Sequence, residues 1–288
     1  MRLLVGDLTP DSGELVLRSG TRVSRLQQEI PGDLPGTASD VASEGIDYHL
    51  ADAALTKMGI DPATEFAQMS AGGKRRVMLA KAFASEPDML MLDEPTNHLD
   101  ISSIAMLESM IARFTGTIVF VTHDQEEALT ISDRIVVMKE GRLEQSGTPK
   151  ELYSQPESCF VAEFIGENNK FLGQVADISG DKCKVKLEDG TEILANPVAV
   201  KAKGDKTKVS LRPERAIIDP SDKMDNNHKG KIEEIIYHGD HTRLRVDLLG
   251  NKDFILKVPN STARLDLKKG NVLNIGWNSI DCRALDPK

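Results

Sequence analysis

The stretch Met89-Leu90-Met91-Leu92-Asp93-Glu94-Pro95-Thr96-Asn97-His98-Leu99-Asp100 decides the fold of this chain. Its four leading apolar residues predict a buried strand of a parallel sheet. That strand would deliver Asp93 and Glu94 to its carboxyl end, where ligands bind in open α/β sheets. One carboxylate there can hold Mg²⁺ and the next can polarise a water molecule. The alternative is a pair of surface carboxylates that follow a core strand.

Two neighbouring stretches carry residue types that suit a phosphate. Residues 69–76 read Met-Ser-Ala-Gly-Gly-Lys-Arg-Arg and precede a helical pattern, and small residues at a helix start present backbone N–H groups to an anion. The run Lys-Arg-Arg at 74–76 is interpreted as a solvated helix face. Residues 117–122 predict a strand that ends in His123, which can hydrogen-bond a γ-phosphate or a water molecule. His123 taken alone would more often be a structural loop residue.

The order of these stretches resembles the ATP-binding cassette (ABC) ATPases. Residues 89–94 match the Walker B strand, residues 97–100 the D-loop and His123 the switch histidine. Four residues match the signature motif, although Ala71 replaces its first glycine and Gly73 takes the usual glutamine place: Ser70, Ala71, Gly72 and Gly73.

This resemblance implies a role for each matched residue in a composite ATP site between two cassettes. Asp93 would hold Mg²⁺, Glu94 would activate water and His123 would sense the γ-phosphate. Asp100 would couple the two sites of a dimer. The signature residues would clamp the ATP molecule bound on the opposite subunit.

A glutamine at the end of a strand is a further ligand in this family, touching Mg²⁺ or the attacking water. Residues 23–29 read Val-Ser-Arg-Leu-Gln-Gln-Glu, and Gln28 is predicted for that role in preference to Gln27. An ordinary polar turn is the alternative for both residues.

The glycine-rich phosphate loop G-x-x-x-x-G-K-[ST], the usual partner of such an acidic strand, occurs nowhere in the 288 residues. Residues 1–14 resemble the helix and turn that follow this loop in the family, so we expect the chain to begin just after it. The loop supplies most of the attraction for the β- and γ-phosphates. We therefore expect negligible ATP hydrolysis by the isolated polypeptide, and an unpaired edge on the strand at 89–92.

Composition and charge indicate two soluble, cytosolic domains. The 288 residues suit two modest domains, and neither a membrane span nor a signal peptide is apparent. Through Glu167 the chain carries 27 acidic and 14 basic residues, whereas the remainder carries 18 and 22. Three scattered cysteines fit no zinc spacing and are predicted to be reduced, structural thiols: Cys159, Cys183 and Cys282.

From about Asn168, short alternating strands separated by Gly, Asp and Asn turns predict a small all-β barrel. The motif Leu-Arg-Pro-Glu at 211–214, followed by residues 230–234, resembles the TOBE domain of ABC importer ATPases. The predicted fold is therefore α/β, a truncated P-loop NTPase (ABC cassette) followed by an OB-like TOBE barrel. The predicted domains are 1–167, a partial nucleotide-binding domain, and 168–288.

Two branches of the family contribute to the resemblance. Residues 1–123 resemble family F, the translation-associated ATPases, whereas residues 125–288 resemble the ATPase subunit of spermidine/putrescine-type importers. The expected function is the ATP-binding subunit of a polyamine importer, with ATP and Mg²⁺ as cofactors. Its partners would be a second ATPase subunit and permease subunits at the inner face of the plasma membrane, without nucleic acid. The alternatives are a translation ATPase acting on ribosomes and a non-catalytic module that binds a permease or a small ligand through the barrel.

Overall fold

The computed structural model describes residues 2–26, 32, 34–260 and 267–287, and divides into two compact units, Met1–Glu127 (unit 1) and Ala128–Lys288 (unit 2). The division falls within one helix, α5. Unit 1 alternates strands with helices along the chain, which is the order expected of an α/β fold. Its elements are β1 Val23–Leu26, α1 Ala38–Ala42, α2 Tyr48–Lys57, α3 Ala71–Ala84, β2 Met89–Asp93, α4 Ile101–Arg113, β3 Thr117–Val121 and the start of α5 Gln125–Ile131.

The strand predicted at 89–92 is confirmed as β2, the central strand of a parallel sheet. The sheet order is β1-β2-β3, with Met89 opposite Val23 on one side and Thr117 on the other. Leu90, Met91 and Leu92 have no exposed surface, as expected for a strand covered on both faces. The unpaired edge predicted for this strand is wrong, because β1 and β3 both hydrogen-bond to it.

The helix predicted at the start of the chain is also wrong. Residues 2–22, all described, form turns, bends and irregular backbone without a helix. Leu3 and Leu8 remain 45% and 47% exposed, so this segment buries little apolar surface. A short helix without packing is marginal in water, which explains the irregular backbone.

Unit 2 begins with a hairpin and two short helices: β4 Ile135–Lys139, β5 Arg142–Gly147, α6 Pro149–Ser154 and α7 Cys159–Phe164. The sequence Thr-Pro at 148–149 predicts an N-cap followed by a first-turn proline, and the structure confirms both. Thr148 and Glu151 form a reciprocal capping box at the start of α6.

Ten strands follow, and they form a closed barrel and a five-stranded sheet. The barrel order is β15-β8-β7-β6-β9, and the sheet order is β10-β14-β11-β12-β13. This arrangement confirms the predicted all-β barrel; β8, β10 and β15 had not been predicted. The strands are β6 Asn169–Ser179, β7 Lys182–Leu187, β8 Glu192–Pro197, β9 Lys206–Leu211, β10 Ile217–Ile218, β11 Asn226–Tyr237, β12 His241–Leu248, β13 Asn251–Pro259, β14 Val272–Trp277 and β15 Cys282–Leu285.

Arg212 joins residues 128–167 to the barrel within unit 2. Its guanidinium donates to the backbone carbonyls of Tyr153 at 3.1 Å, Ala162 at 3.0 Å and Glu167 at 3.0 Å. It also lies 4.3 Å from the centre of the Tyr153 ring, whose hydroxyl donates to Glu214. These contacts join residues 153–167 to the barrel within unit 2. The domain boundary predicted after Glu167 stays a prediction.

The three cysteines and the lengths of the helices bear on two expectations drawn from the whole sequence. The three cysteines are free and buried, as predicted for structural thiols. Burial raises the pKa of Cys159 to about 12 and that of Cys183 to about 11, and also raises the pKa of Cys282. None of the helices in the described part of the chain has the length and apolar character needed to cross a bilayer.

Candidate functional site

Asp93 and Glu94 lie at the carboxyl end of β2, as predicted. Asp93 ends the strand and is partly exposed, whereas Glu94 is 9% exposed and has a left-handed φ of +46°. The backbone N–H of Glu94 donates to the carbonyl of Val121 at 2.9 Å, which ties the turn to the end of β3. Non-glycine residues adopt this φ at an energetic cost, so surrounding contacts must hold it.

His123 follows β3 and meets Glu94, so the structure brings these two predicted residues together. The Nε2 atom of His123 lies 3.6 Å from Oε1 of Glu94, and the imidazole is 90% exposed. Among the described residues, Glu94 Oε1 has no hydrogen-bond partner although it is buried. A buried carboxylate oxygen that accepts no hydrogen bond is the type of group able to accept one from a water molecule or a ligand.

Arg75 corrects the interpretation of residues 74–76 as a solvated helix face. Its side chain is 2% exposed, and Nη2 donates to the backbone carbonyls of Asp93 at 2.7 Å and Glu94 at 2.9 Å. Burial lowers the pKa of Arg75, and the nearby carboxylates Asp93 and Glu94 oppose this effect. The residue therefore holds the backbone that carries both carboxylates.

Glu127 is a second residue of this region that sequence reasoning missed. Burial raises the pKa of its carboxyl group, and the negative charges of Asp124 and Glu94 raise it further. Hydrogen bonds with Thr122 and Thr96 act in the opposite direction. The charge of Glu94 therefore acts on Glu127, and the signal in the sequence was the place of Glu127 four positions after His123, in the acidic first turn of α5.

The signature-like residues occupy the start of α3. Ser70 is the N-cap, and its hydroxyl oxygen accepts a hydrogen bond from the backbone N–H of Gly73 at 3.2 Å. This leaves the hydroxyl hydrogen of Ser70 available to a ligand. Ala71 is exposed, so its methyl group is tolerated where the family has glycine. At Gly72 a Cβ atom would lie 2.8 Å from the carbonyl oxygen of His98, so a side chain there would force a local rearrangement.

Asp100 is the N-cap of α4. Its Oδ1 accepts hydrogen bonds from the backbone N–H of Ser103 and the hydroxyl of Ser102, both at 2.8 Å. Hydrogen bonds from Ser103 and Ser102 hold its pKa at about 2. The observed contacts of Asp100 are therefore those of a helix cap, and its coupling role stays a prediction.

Gln28 and Gln27 lie outside the described residues. Of the two residues predicted to hold Mg²⁺, Asp93 and Gln28, the structure therefore describes Asp93, which Glu94 follows in the chain. No three His, Cys, Asp or Glu side chains form a metal-binding group in the described part of the chain. One carboxylate still fits Mg²⁺, because this ion commonly takes one or two protein carboxylates and completes its shell with water and substrate phosphates.

Comparisons with known proteins agree with this arrangement. The ABC transporter family model matches residues 1–97, and the TOBE domain model matches residues 209–285. The spermidine/putrescine import ATP-binding protein PotA of Trichodesmium erythraeum is 37% identical over 230 residues, which cover 76% of this chain and 60% of that protein. The protein of the same name from Mesorhizobium japonicum is 38% identical over 211 residues, or 72% of this chain and 57% of that protein.

Among solved structures, this chain is similar to cbiO1 of Clostridium perfringens, part of the ABC transporter complex cbiONQ. It is 25% identical with a TM-score of 0.46, over 54% of this chain and 73% of that chain. The present chain spans about three fifths of the length of the curated relatives it matches.

Proposed function

Since this chain is a relative of the ABC-transporter ATP-binding proteins that joins an ABC segment to a TOBE domain, we propose that it serves as an ATP-binding subunit of an ABC importer. The observation that carries the proposal is the meeting of Glu94 with His123 at the ends of β2 and β3, 3.6 Å apart. Identity of 37% to a spermidine/putrescine import protein supports polyamines as the cargo.

The chemistry assigned to this site is phosphoryl transfer to water. Glu94 is the general base: its buried Oε1 accepts a hydrogen bond from the attacking water and orients it. His123, largely exposed, donates from Nε2 to the γ-phosphate oxygen that gains charge in the transition state. Arg75 keeps both carboxylate-bearing residues in position by binding their backbone carbonyls.

Asp93 would hold Mg²⁺ in this proposal, and the ion would neutralise charge on the phosphates of ATP. The start of α3 contributes to a second ATP molecule, on the partner subunit. Its unsatisfied N–H groups and helix dipole attract a phosphate, and the Ser70 hydroxyl donates to it. The partners are accordingly a second ATPase subunit and membrane permease subunits, with this subunit in the cytoplasm against the inner face of the membrane.

The 288-residue polypeptide contains some, but not all, of the motifs of a complete ATP site. The polypeptide has the base and the signature residues but not the motif G-x-x-x-x-G-K-[ST]. We infer that these residues alone turn over ATP negligibly and act as signature donors to a partner's phosphate loop. A second candidate, suggested by the closed barrel of unit 2, is a non-catalytic module that binds a permease or a small ligand through that barrel. A ribosome-associated ATPase is less supported, because the TOBE match and the relatives above are those of transport proteins.

A mixed-dimer assay tests signature donation. The polypeptide is combined with an intact spermidine/putrescine import ATPase subunit whose own signature serine is changed to arginine, and phosphate release is measured. We expect the mixture to regain activity, and Ser70→Arg to abolish the gain because arginine fills the phosphate position. Ser12→Arg, an exposed change in the irregular segment before β1, is the matched control and should retain the gain.

Absence of rescue in a heterodimer demonstrated by size-exclusion chromatography would contradict signature donation and favour the non-catalytic module. The polypeptide alone is assayed in parallel. Turnover of about 1 s⁻¹, within the usual range of enzymes, that disappears in Glu94→Gln would contradict the inferred lack of autonomous hydrolysis.

A further inference from the structure

Residues of β6, β7 and β9 in unit 2 line a cavity of about 720 Å³ that the proposed function does not use. This volume lies within the range of small-molecule sites. Its apolar part includes Leu172, which is 52% exposed, together with parts of Val175 and Leu187. Three lysines also line it: Lys186, Lys203 and Lys206.

Strand register explains why the lysines converge. Gln174 on β6 pairs with Lys186 on β7 and with Lys206 on β9, so these three residues form one row across adjacent strands. Strands are spaced by about 4.8 Å, which places the two lysine backbones about 10 Å apart. The Gln174 amide donates to the carbonyl oxygen of Gly204 at 2.7 Å, and this bond holds the turn that carries Lys203 beside the row.

Ion pairing distinguishes the cavity lysines from their neighbours on the same strands. Lys182 and Lys184 of β7 pair with Asp225 at 2.9 Å and Glu192 at 3.4 Å, and Lys208 of β9 pairs with Glu163 at 3.0 Å. Within the described residues, by contrast, Lys186, Lys203 and Lys206 have no carboxylate within 4.0 Å.

The carboxylates nearest in sequence do not neutralise the cavity either. Asp205 accepts hydrogen bonds from the backbone N–H groups of Lys201 and Ala202, at 2.8 and 2.9 Å. Among the described residues of the lining, Glu188 is the one side-chain carboxylate, against three ammonium groups. The cavity therefore combines exposed apolar surface with a net positive charge.

We propose that this cavity binds a small organic polyanion, a molecule with two or more carboxylate or phosphate groups on an apolar body. The anionic groups contact the ammonium groups of the cavity lysines, and the apolar body covers Leu172. A polyamine cation is repelled by the same charges, so the ligand is chemically distinct from the proposed cargo. All the residues that line the cavity belong to unit 2, whereas the residues of the proposed ATP site belong to unit 1.

Isothermal titration calorimetry of the 288-residue chain tests this site with three probes. Benzene-1,3,5-tricarboxylate carries both the charge and the apolar body, inorganic triphosphate carries the charge alone, and benzene-1,3,5-trimethanol is the uncharged analogue. We expect the tricarboxylate to bind once per chain and at least tenfold more tightly than the trimethanol. Binding should weaken as salt is raised, because exposed charges are screened.

Variants locate the binding. The double variant Lys186→Gln/Lys206→Gln should weaken tricarboxylate binding at least tenfold. The control Lys223→Gln/Lys252→Gln, which removes two exposed lysines of the same unit outside the cavity, should leave it within twofold. An equal loss in both double variants, or no saturable binding by wild-type protein, would overturn the site.

Leu172→Ser tests the apolar part of the ligand separately. It should weaken binding of the tricarboxylate about threefold and leave triphosphate unchanged, because only the former covers Leu172. Equal affinities for the two anions, both insensitive to Leu172→Ser, would overturn the organic body of the proposed ligand. Carboxylate and phosphate ligands are distinguished by comparing benzene-1,3,5-tricarboxylate with benzene-1,3,5-triyl trisphosphate, and tighter binding of either assigns the anionic group.

Discussion

The guanidinium of Arg75 donates to the backbone carbonyl oxygen of Glu94 at 2.9 Å. Arg75 belongs to α3, so this bond joins the helix that starts at Ser70 to the strand end that carries both carboxylates. Arg75 follows Ser70 by five positions, which corresponds to about 7.5 Å along the helix axis. One side chain thus sets the distance between the signature-like helix start and the candidate general base.

Arg75→Met should destabilise unit 1 by about 3 kcal/mol, because two buried carbonyls lose their donor. Arg22→Met, which removes an exposed arginine paired with Asp88, should have little effect. Hydrogen exchange of the β2 amides measures the change within unit 1. Equal protection of β2 in wild type and Arg75→Met would show that the arginine does not hold this backbone.

Glu94→Gln should stabilise the folded chain by about 1 kcal/mol and leave turnover by the mixed dimer unchanged, because the site restored there uses the phosphate loop and the base of the partner subunit. The carboxylate is buried, and in the described structure its Oε1 accepts no hydrogen bond, so replacing it by a neutral amide removes a desolvation cost. Thermal denaturation and phosphate release are measured on the same preparation. A lower melting temperature for Glu94→Gln would mean that the charge is compensated in the folded state.

Arg212→Met should lower the unfolding free energy of unit 2 by about 3 kcal/mol. The substitution leaves the carbonyls of Tyr153, Ala162 and Glu167 without this donor in a buried environment. Urea denaturation is followed by fluorescence of Trp277, the single tryptophan, which is buried in unit 2. The control is Arg215→Met, which removes an exposed pair with Asp281 and should shift the midpoint little.

Acid should weaken unit 2 partly through Asp225. Hydrogen bonds from Ser279, together with the ammonium of Lys182, hold the pKa of Asp225 at about 2, below its ordinary value of 3.8. A depressed pKa contributes stability that is present above pH 4 and is lost as the pH falls through 2. The stability advantage of wild type over Asp225→Asn, followed by Trp277 fluorescence, should therefore shrink between pH 4 and pH 2. Asp222→Asn, in the exposed turn before Asp225, should show no comparable trend.

A polypeptide spanning residues 168–288 should unfold cooperatively but at a lower temperature than one spanning 128–288. Both contain the barrel strands, but only the longer one retains the carbonyls of Tyr153 and Ala162 for Arg212. Differential scanning calorimetry compares the two melting temperatures. No cooperative transition in the shorter polypeptide would reject the domain boundary predicted after Glu167.

Local patterns predicted those features whose partners are close in sequence. The apolar run of β2 indicated a buried strand, and Thr148, Pro149 and Glu151 indicated a capped helix, because a capping box is complete within four residues. The contact of Glu94 with His123 was not predicted as a pairing, although it obeys the rule that neighbouring parallel strands end at the same edge of a sheet.

Features with distant partners could not be predicted in the same way. Arg75 looked like part of a charged helix surface, since the carbonyls it binds belong to residues 93 and 94. The last barrel strand, β15, has only four residues, and it forms by pairing with β8 and β9, more than 70 positions earlier. Neither its length nor its composition distinguishes such a strand from a loop.

The burial of all three native thiols makes this chain well suited to site-specific labelling. Thiolates react and thiols do not, and the raised pKa values of Cys159, Cys183 and Cys282 keep these groups protonated at neutral pH. A single cysteine introduced at an exposed position would therefore be modified by a maleimide dye in the otherwise native background. Fluorophores placed in this way could report ligand arrival and subunit association without removal of any natural cysteine.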